Sequence, residues 1–357
     1  MKKWLRITGV LLAIALTKAC DYELSFSPAQ TNDIAFSSDT VYLDTVFTAI
    51  GSSTYNMRIY NQTDRNIEIG SISLGQGSDS QFRLNVDGMR GQDFNDVEIL
   101  ANDSIYVFIE TTVDIKDYAA TATEFLYNDQ LLVDEHSVEL ITLVKDAIFL
   151  YPERENGFKE IIPLGTDDDG NEFGIEGFYL EDDELVFTKE RPYVIYGYAG
   201  VSPEKTVRFE AGARIHFHDN SGLIAAQSSS VHVLGEQSAD PELQEGEVIF
   251  EGDRLEPFFE NIPGQWGAIW LTAGSTNHIF RHATIKNASV GILMDYNDET
   301  ENPTLVLEQT QIHNSSAVGL WTKTGYVRAV NSIFGNAGNA SFYGNIGGSY
   351  EFTHCTF

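Results

Sequence analysis

Gly267-Ala-Ile269-Trp-Leu271, Val290-Gly-Ile292-Leu-Met294, Val318-Gly-Leu320-Trp-Thr322 and Ala340-Ser-Phe342-Tyr-Gly344 are four copies of one pattern inside residues 265–357. The central apolar residue moves from Ile269 to Ile292, Leu320 and Phe342, in steps of 23, 28 and 22 residues. A second pattern runs between them: Ala283-Thr-Ile285-Lys-Asn287, Thr310-Gln-Ile312-His-Asn314, Ser332-Ile-Phe334-Gly-Asn336 and Cys355-Thr-Phe357. Two short strands per period, with insertions of varying length between them, are the signature of a β-solenoid coil. A helical repeat would place apolar residues at i, i+3, i+4 and i+7, whereas these segments alternate with period 2. The pattern predicts a right-handed parallel β-helix.

Alternation also assigns faces. Ile269, Ile292, Leu320 and Phe342 form one inward column, Gly267, Val290, Val318 and Ala340 a second, and Ile285, Ile312, Phe334 and Phe357 a third. Asn287, Asn314 and Asn336 close the second strand in three successive coils and are expected to form an asparagine ladder, amide to amide and to turn backbone. On the opposite parity, Ala268, Gly291, Gly319 and Ser341 predict a bare shallow groove. Beside it Trp270, Leu293, Trp321 and Tyr343 predict an outward aromatic stripe. Sugars stack on such faces, so Trp270, Trp321 and Tyr343 are candidate ligand-binding residues. Another segment packing over the stripe is the alternative.

Going outward, alternating segments at 206–217, 221–225, 230–234 and 247–250 extend the helix back to about residue 193, with polar excursions at 237–246 and 253–264. Residues 148–192 turn acidic and read as a linker and helix cap. Asp167, Asp169 and Asn171 are its candidate Ca²⁺ ligands, although their spacing does not keep the EF-hand order and a solvated acidic loop is the favoured reading. Residues 34–147 hold seven alternating strands, at 41–47, 55–60, 67–74, 82–86, 105–112, 124–133 and 137–144. That number and spacing suit an immunoglobulin-like β-sandwich acting as a spacer or docking module.

Residues 1–20 read as a secretory signal: Lys2, Lys3 and Arg6, then an apolar run from Ile7 to Leu16, then Ala19-Cys20. The run is short for a membrane span. Residues 21–33 read as a polar tether. The formal charge of −31 repels nucleic acid and anionic membrane. No CxxC or Cys/His cluster indicates structural zinc. Cys355 falls in the column of Ala283, Thr310 and Ser332 and is expected as a buried core thiol. His282, His313 and His354 are expected at solvated strand edges.

Two resemblances follow. Met1 to Cys20 resembles a bacterial lipoprotein signal, which implies diacylation of Cys20; Thr17 stands where that family prefers Leu. An ordinary signal peptide is the alternative. The run from about Tyr193 to Phe357 resembles the pectin-lyase-like β-helix, and the whole layout resembles bacterial surface lipoproteins that join an Ig-like module to such a helix. Lyases of that family use an Arg or Lys base, usually with Ca²⁺, and its hydrolases use clustered Asp; the hydrolase motifs Asn-x-Asp, Asp-Asp, Gly-His-Gly and Arg-x-Lys do not occur in the helix here. Asp295 and Lys323 are the nearest candidate catalytic pair.

The expectation is an exported protein, lipid-anchored in the cell envelope at the outer membrane or cell surface, with no required cofactor. Its β-helix recognises or scaffolds glycans without cleaving them, with a glycan or an envelope protein as partner, the membrane reached through the lipid alone, and no nucleic acid. A polysaccharide lyase or glycoside hydrolase, and a purely structural spacer, are the competing classes. Because solenoid ends need covering and Phe357 falls in mid-coil, the chain is also expected to be truncated at its C-terminus.

Overall fold

The computed structural model describes residues 24–119, 121–166, 169–296 and 300–357. Cys20, the whole expected signal segment and Asp167 lie outside the described residues. The chain is all-β and divides into two compact units, Met1–Tyr118 with Phe125–Val144, and Ala119–Glu124 with Lys145–Phe357.

The first unit has a six-stranded and a five-stranded sheet. Its strands include Thr40–Phe47, Tyr55–Asn61, Ile67–Leu74, Phe82–Val86, Ser104–Thr111, Glu124–Val133 and His136–Lys145. Most bury one face in alternation, as in Tyr55–Asn61, where Met57 and Ile59 lie inside. The buried faces of the two sheets meet, Phe82 of one stacking on Tyr127 of the other at 5.2 Å. The strand Asp93–Ile99 lies between the expected strands 82–86 and 105–112 and is an addition to the seven. Its apolar residues Phe94, Val97 and Ile99 break period 2 because Asp96 adopts φ 53°. Its partner strand changes parity at the same level, from Ile67 and Ile69 to Ile72 and Leu74.

The second unit is built on three parallel sheets that the chain visits in rotation. Sheet I runs through Tyr193–Ile195, Arg214–Phe217, Val248–Gly252, Ala283–Lys286, Gln311–His313 and Ile333–Gly335. Sheet II runs through Tyr198–Val201, Gly222–Ala225, Trp266–Leu271, Ala288–Met294, Val318–Thr322 and Ala340–Gly344. Sheet III runs through Thr206–Glu210, Ser230–Leu234, His278–Arg281, Leu305–Glu308, Tyr326–Val330 and Ser349–Thr353. One pass through the three sheets makes a rung, and every strand pairs in parallel with its equivalent one rung later.

Like stacks on like inside. Phe187, Phe209, Phe250, Phe217 and Trp266 form a chain of ring contacts at 4.4–6.4 Å. Each such ring, fully buried, contributes about 1.5–3 kcal/mol. The rungs begin earlier than the sequence suggested: Ile148–Leu150, Glu172–Tyr179 and Val186–Phe187 within the acidic stretch already pair into sheets I, II and III. Glu153, Glu160, Glu176, Glu181, Asp182 and Asp183 stand on exposed positions while Phe178, Leu180 and Phe187 are buried, so charge masked a strand pattern that was present.

Left-handed residues close the turns. Asn287, Asn314 and Asn336 take φ 66°, 55° and 50° between sheets I and II, and His282, Gln309, Asn331 and His354 take φ 43–52° between sheets III and I. Asn tolerates this region best among residues with a Cβ. The repeated Asn is therefore a requirement of the turn.

Candidate functional site

On the outer face of sheet II, Ile224, Trp270, Leu293, Trp321 and Tyr343 are cross-strand neighbours on successive rungs. The strip exists, with ring-bearing strands spaced by about 4.8 Å. Trp270, Leu293 and Trp321 are half-buried, and Tyr343 is 45% exposed. Trp321 and Tyr343 lie with centroids 5.9 Å apart and planes at 56°. Both indoles are fixed by their N–H groups: Trp270 Nε1 donates to Asp295 Oδ2 at 2.7 Å, and Trp321 Nε1 to Asn345 Oδ1 at 3.2 Å.

Asp295 and Lys323, which sequence could not bring together, form an ion pair beside the strip. Asp295 is 8% exposed, and its two oxygens are taken by Trp270 and Lys323. The Lys323 Nζ lies 5.9 Å from the ring centre of Tyr296, at the outer limit of a cation–π contact. Removing Lys323 would leave the buried Asp295 carboxylate without its cation. The arrangement anchors the Trp270 ring and sets the carboxylate against a cation.

The shallow groove is absent. A register shift between Ala268 and Ile269 sets Ala268 opposite Val290, which in turn pairs with Val318, so Gly291 and Gly319 leave the expected outer column and are buried. A Cβ on Gly291 would lie 2.4 Å from Ile312 Cγ2 and 2.5 Å from Gly319 O, so close packing there requires glycine. The strip is covered at one end. The antiparallel hairpin of Ile161–Thr166 and Glu172–Tyr179 packs Ile162 against Tyr198 and Ile224, with Trp270 at the edge of that cluster. Gly200 lets Ile162 approach, since a Cβ there would stand 2.8 Å from Ile162 Cδ1. Leu293, Trp321 and Tyr343 run on beyond the cluster.

The three asparagines do not bond in one line. Asn336 donates to Asn314, but Asn314 donates to Asn261 Oδ1 at 3.0 Å. Asn287 donates to the carbonyls of Glu260 and Ile262 at 3.0 and 2.9 Å. Two of the three amides thus tie down the excursion after Gly252. Asp169 and Asn171 occupy an exposed turn of the 161–179 hairpin. Among the described residues no group of three or more His, Cys, Asp or Glu side chains is placed to hold a metal ion. Cys355 is half-buried, its Sγ 3.5 Å from Ala329 O.

A polar seam on sheet I escaped the sequence reading. His216 stands opposite Glu251, and Lys286 opposite His313. Lys286 Nζ lies 2.8 Å from Glu251 Oε2, and His216 Nδ1 lies 3.6 Å from Oε1. Burial pushes the Glu251 carboxyl up, but His216, Lys286 and Arg214 together outweigh it and hold the group below its ordinary range. Burial lowers both His216 and His313, so His313 is not the solvated histidine expected. Each seam residue directly follows the core position of its strand. That column was visible for Lys286 and His313, but excursions on both sides of Val248–Gly252 hid its continuation to Glu251 and His216.

No family model matches the chain, and no curated protein matches it. Solved structures with similarity to it include a family 123 glycoside hydrolase from Clostridium perfringens, described for glycolipid glycan hydrolysis, at 10% identity and TM-score 0.21, covering 31% of this chain and 25% of that one. Another is the catalytic unit of a thermostable GH87 α-1,3-glucanase from Streptomyces thermodiastaticus strain HF3-3, at 12% identity and TM-score 0.25, covering 79% of this chain and 51% of that one. The chain spans about a quarter and about half of the lengths of these two structures, and overlaps this shallow assign it neither a family nor an activity.

Proposed function

We propose that this is a glycan-recognition protein of the cell envelope, in which a right-handed parallel β-helix follows an Ig-like sandwich and presents its sheet II strip to a sugar chain without cleaving it. The observation that carries this reading is the engagement of Asp295. Oδ2 accepts from the Trp270 indole and Oδ1 faces the Lys323 ammonium, an engagement that supports a role in fixing the aromatic surface. Trp321 and Tyr343 then supply rigid apolar faces of the kind that pyranose rings cover. Export and a lipid on Cys20 complete the proposal, placing the strip at the envelope with the membrane reached only through that anchor.

The test is tryptophan fluorescence titration with neutral polysaccharides, with and without Ca²⁺, alongside assays for reducing and unsaturated ends. Saturable binding without new ends is expected, weakened about tenfold or more by Trp321→Ala, a loss of about 1.4 kcal/mol. New chain ends would overturn the reading in favour of a lyase or hydrolase. Silence in both channels would leave a structural spacer.

A further inference from the structure

We propose that the outer face of the five-stranded sheet in the first unit binds an anionic sugar chain, one bearing carboxylate or sulfate groups. The inference is independent of the sheet II strip and concerns a different surface. Tyr106 and Phe108 stand on one outward edge of the strand Ser104–Thr111, each 37% exposed, with ring centroids 5.7 Å apart and planes within 15°. The two rings stack on one another and form a single exposed aromatic ridge. Across the sheet, register places Asn56 and Asn85 on either side of Phe108, and Arg90 beyond Asn85. Arg58, opposite Tyr106, lies with its guanidinium 4.2 Å from the ring centre.

The same face forms a cleft of about 640 Å³, whose wall includes Thr54, Arg83, Asn85, Arg90, Gln92 and Phe108. That volume lies in the range of sites that hold small ligands. Asn85 Oδ1 is buried on this wall with no hydrogen-bond partner. A buried acceptor left unpaired is unfavourable because it has lost its hydration without a replacement, and a sugar hydroxyl would supply the missing donor.

Charge selects the ligand. The chain carries a formal −31, yet three of the five Lys and Arg residues of residues 24–118 and 125–144 (Arg58, Arg83 and Arg90, as against Arg65 and Lys116) meet on this face. Arg83 is held by Thr112 at 3.1 Å and lies 3.9 Å from Glu110, while Arg58 and Arg90 have no ion-pair partner among the described residues. Arginine forks recognise planar oxyanions bidentately. The aromatic ridge, side-chain amides and arginines together match a sugar ring with an acidic substituent. Elsewhere the acidic surface would repel such a polymer, which confines it to this face.

The experiment is retention of the full chain by polygalacturonate in affinity electrophoresis at low salt, with dextran sulfate, neutral dextran and single-stranded DNA in parallel. Retention by polygalacturonate or dextran sulfate is expected, the pair reporting which anion is preferred, with none by neutral dextran. The double variant Arg83→Gln/Arg90→Gln should weaken retention at least tenfold while thermal unfolding stays unchanged; Arg90→Gln alone serves if the double variant misfolds. Trp321→Ala should bind these acidic probes as the wild type does, so the failure of either proposal can be told from that of the other. Retention insensitive to the arginines, no retention by either acidic polysaccharide, or retention by the DNA alone would overturn the proposal.

Discussion

His278 shows how much a single residue can owe to its parity. It lies two positions before Phe280 on one strand, so both side chains enter the core, and it is fully buried. The Val231 N–H donates to its Nδ1 at 3.2 Å, which leaves the proton on Nε2, 3.1 Å from Ser275 Oγ. Burial, with the neighbouring His232, lowers its pKa from 6.5 to about 3. At pH 7 the imidazole is neutral in both folded and unfolded chains. Between 6.5 and about 3 only the unfolded chain takes up the proton. The contribution of His278 to stability is therefore complete above pH 6.5 and is lost as pH falls toward 3, at about 1.4 kcal/mol per unit. Urea unfolding should show a drop of about 2 kcal/mol from this group between pH 7 and pH 5. His278→Gln, less stable at pH 7, should lack that part of the slope, and an identical slope in the variant would assign the loss to other groups.

At the scale of the strand, Gly291 marks where sheet II departs from a uniform ladder. The register shift after Ala268 brings its Cα against the buried Ile312 and the Gly319 carbonyl. Gly291→Ala should cost about 1–3 kcal/mol, the usual range for overpacking. Gly335→Ala, whose added Cβ would meet nothing within 4 Å, should be near neutral in the same denaturant titration. Equal effects at both positions would mean that the ladder relaxes around Gly291. This contrast also marks the limit of what the sequence disclosed. Ile269, Ile292, Leu320 and Phe342 stack as their spacing required, because inward columns repeat apolar residues at fixed parity. A register shift leaves no such trace, since Ala and Gly suit either an open groove or a close approach. The aromatic column was legible for the same reason as the core, by parity. The closure of Asp295 onto Trp270 and Lys323 was not, because those three residues come from three rungs and meet only when the sheet is formed. On the first unit, Tyr106 and Phe108 were readable as outward residues, but their meeting with Arg58 and Arg90 depends on which strands pair.

For the whole molecule, 53 acidic residues against 22 basic ones make ionic strength a tool that separates the two proposed surfaces. Stacking on Trp321 and Tyr343 is apolar contact, which moderate salt leaves nearly unchanged. Pairing of Arg83 and Arg90 with an anionic polymer is Coulombic and half exposed. The Debye length shrinks from roughly 30 Å at 0.01 M salt to about 8 Å at 0.15 M, so that attraction weakens as salt rises. The same screening relieves the self-repulsion of the acidic chain. Raising NaCl from 0.01 to 0.15 M should therefore increase the midpoint of thermal unfolding, leave binding of a neutral glycan within about twofold, and weaken retention by polygalacturonate about tenfold or more. A common salt dependence for both ligands would mean that one surface binds both of them. The Arg83→Gln/Arg90→Gln variant then decides which: if it abolishes binding of both ligands, the sheet II strip has no part in either, and if it alters neither, the first unit has none.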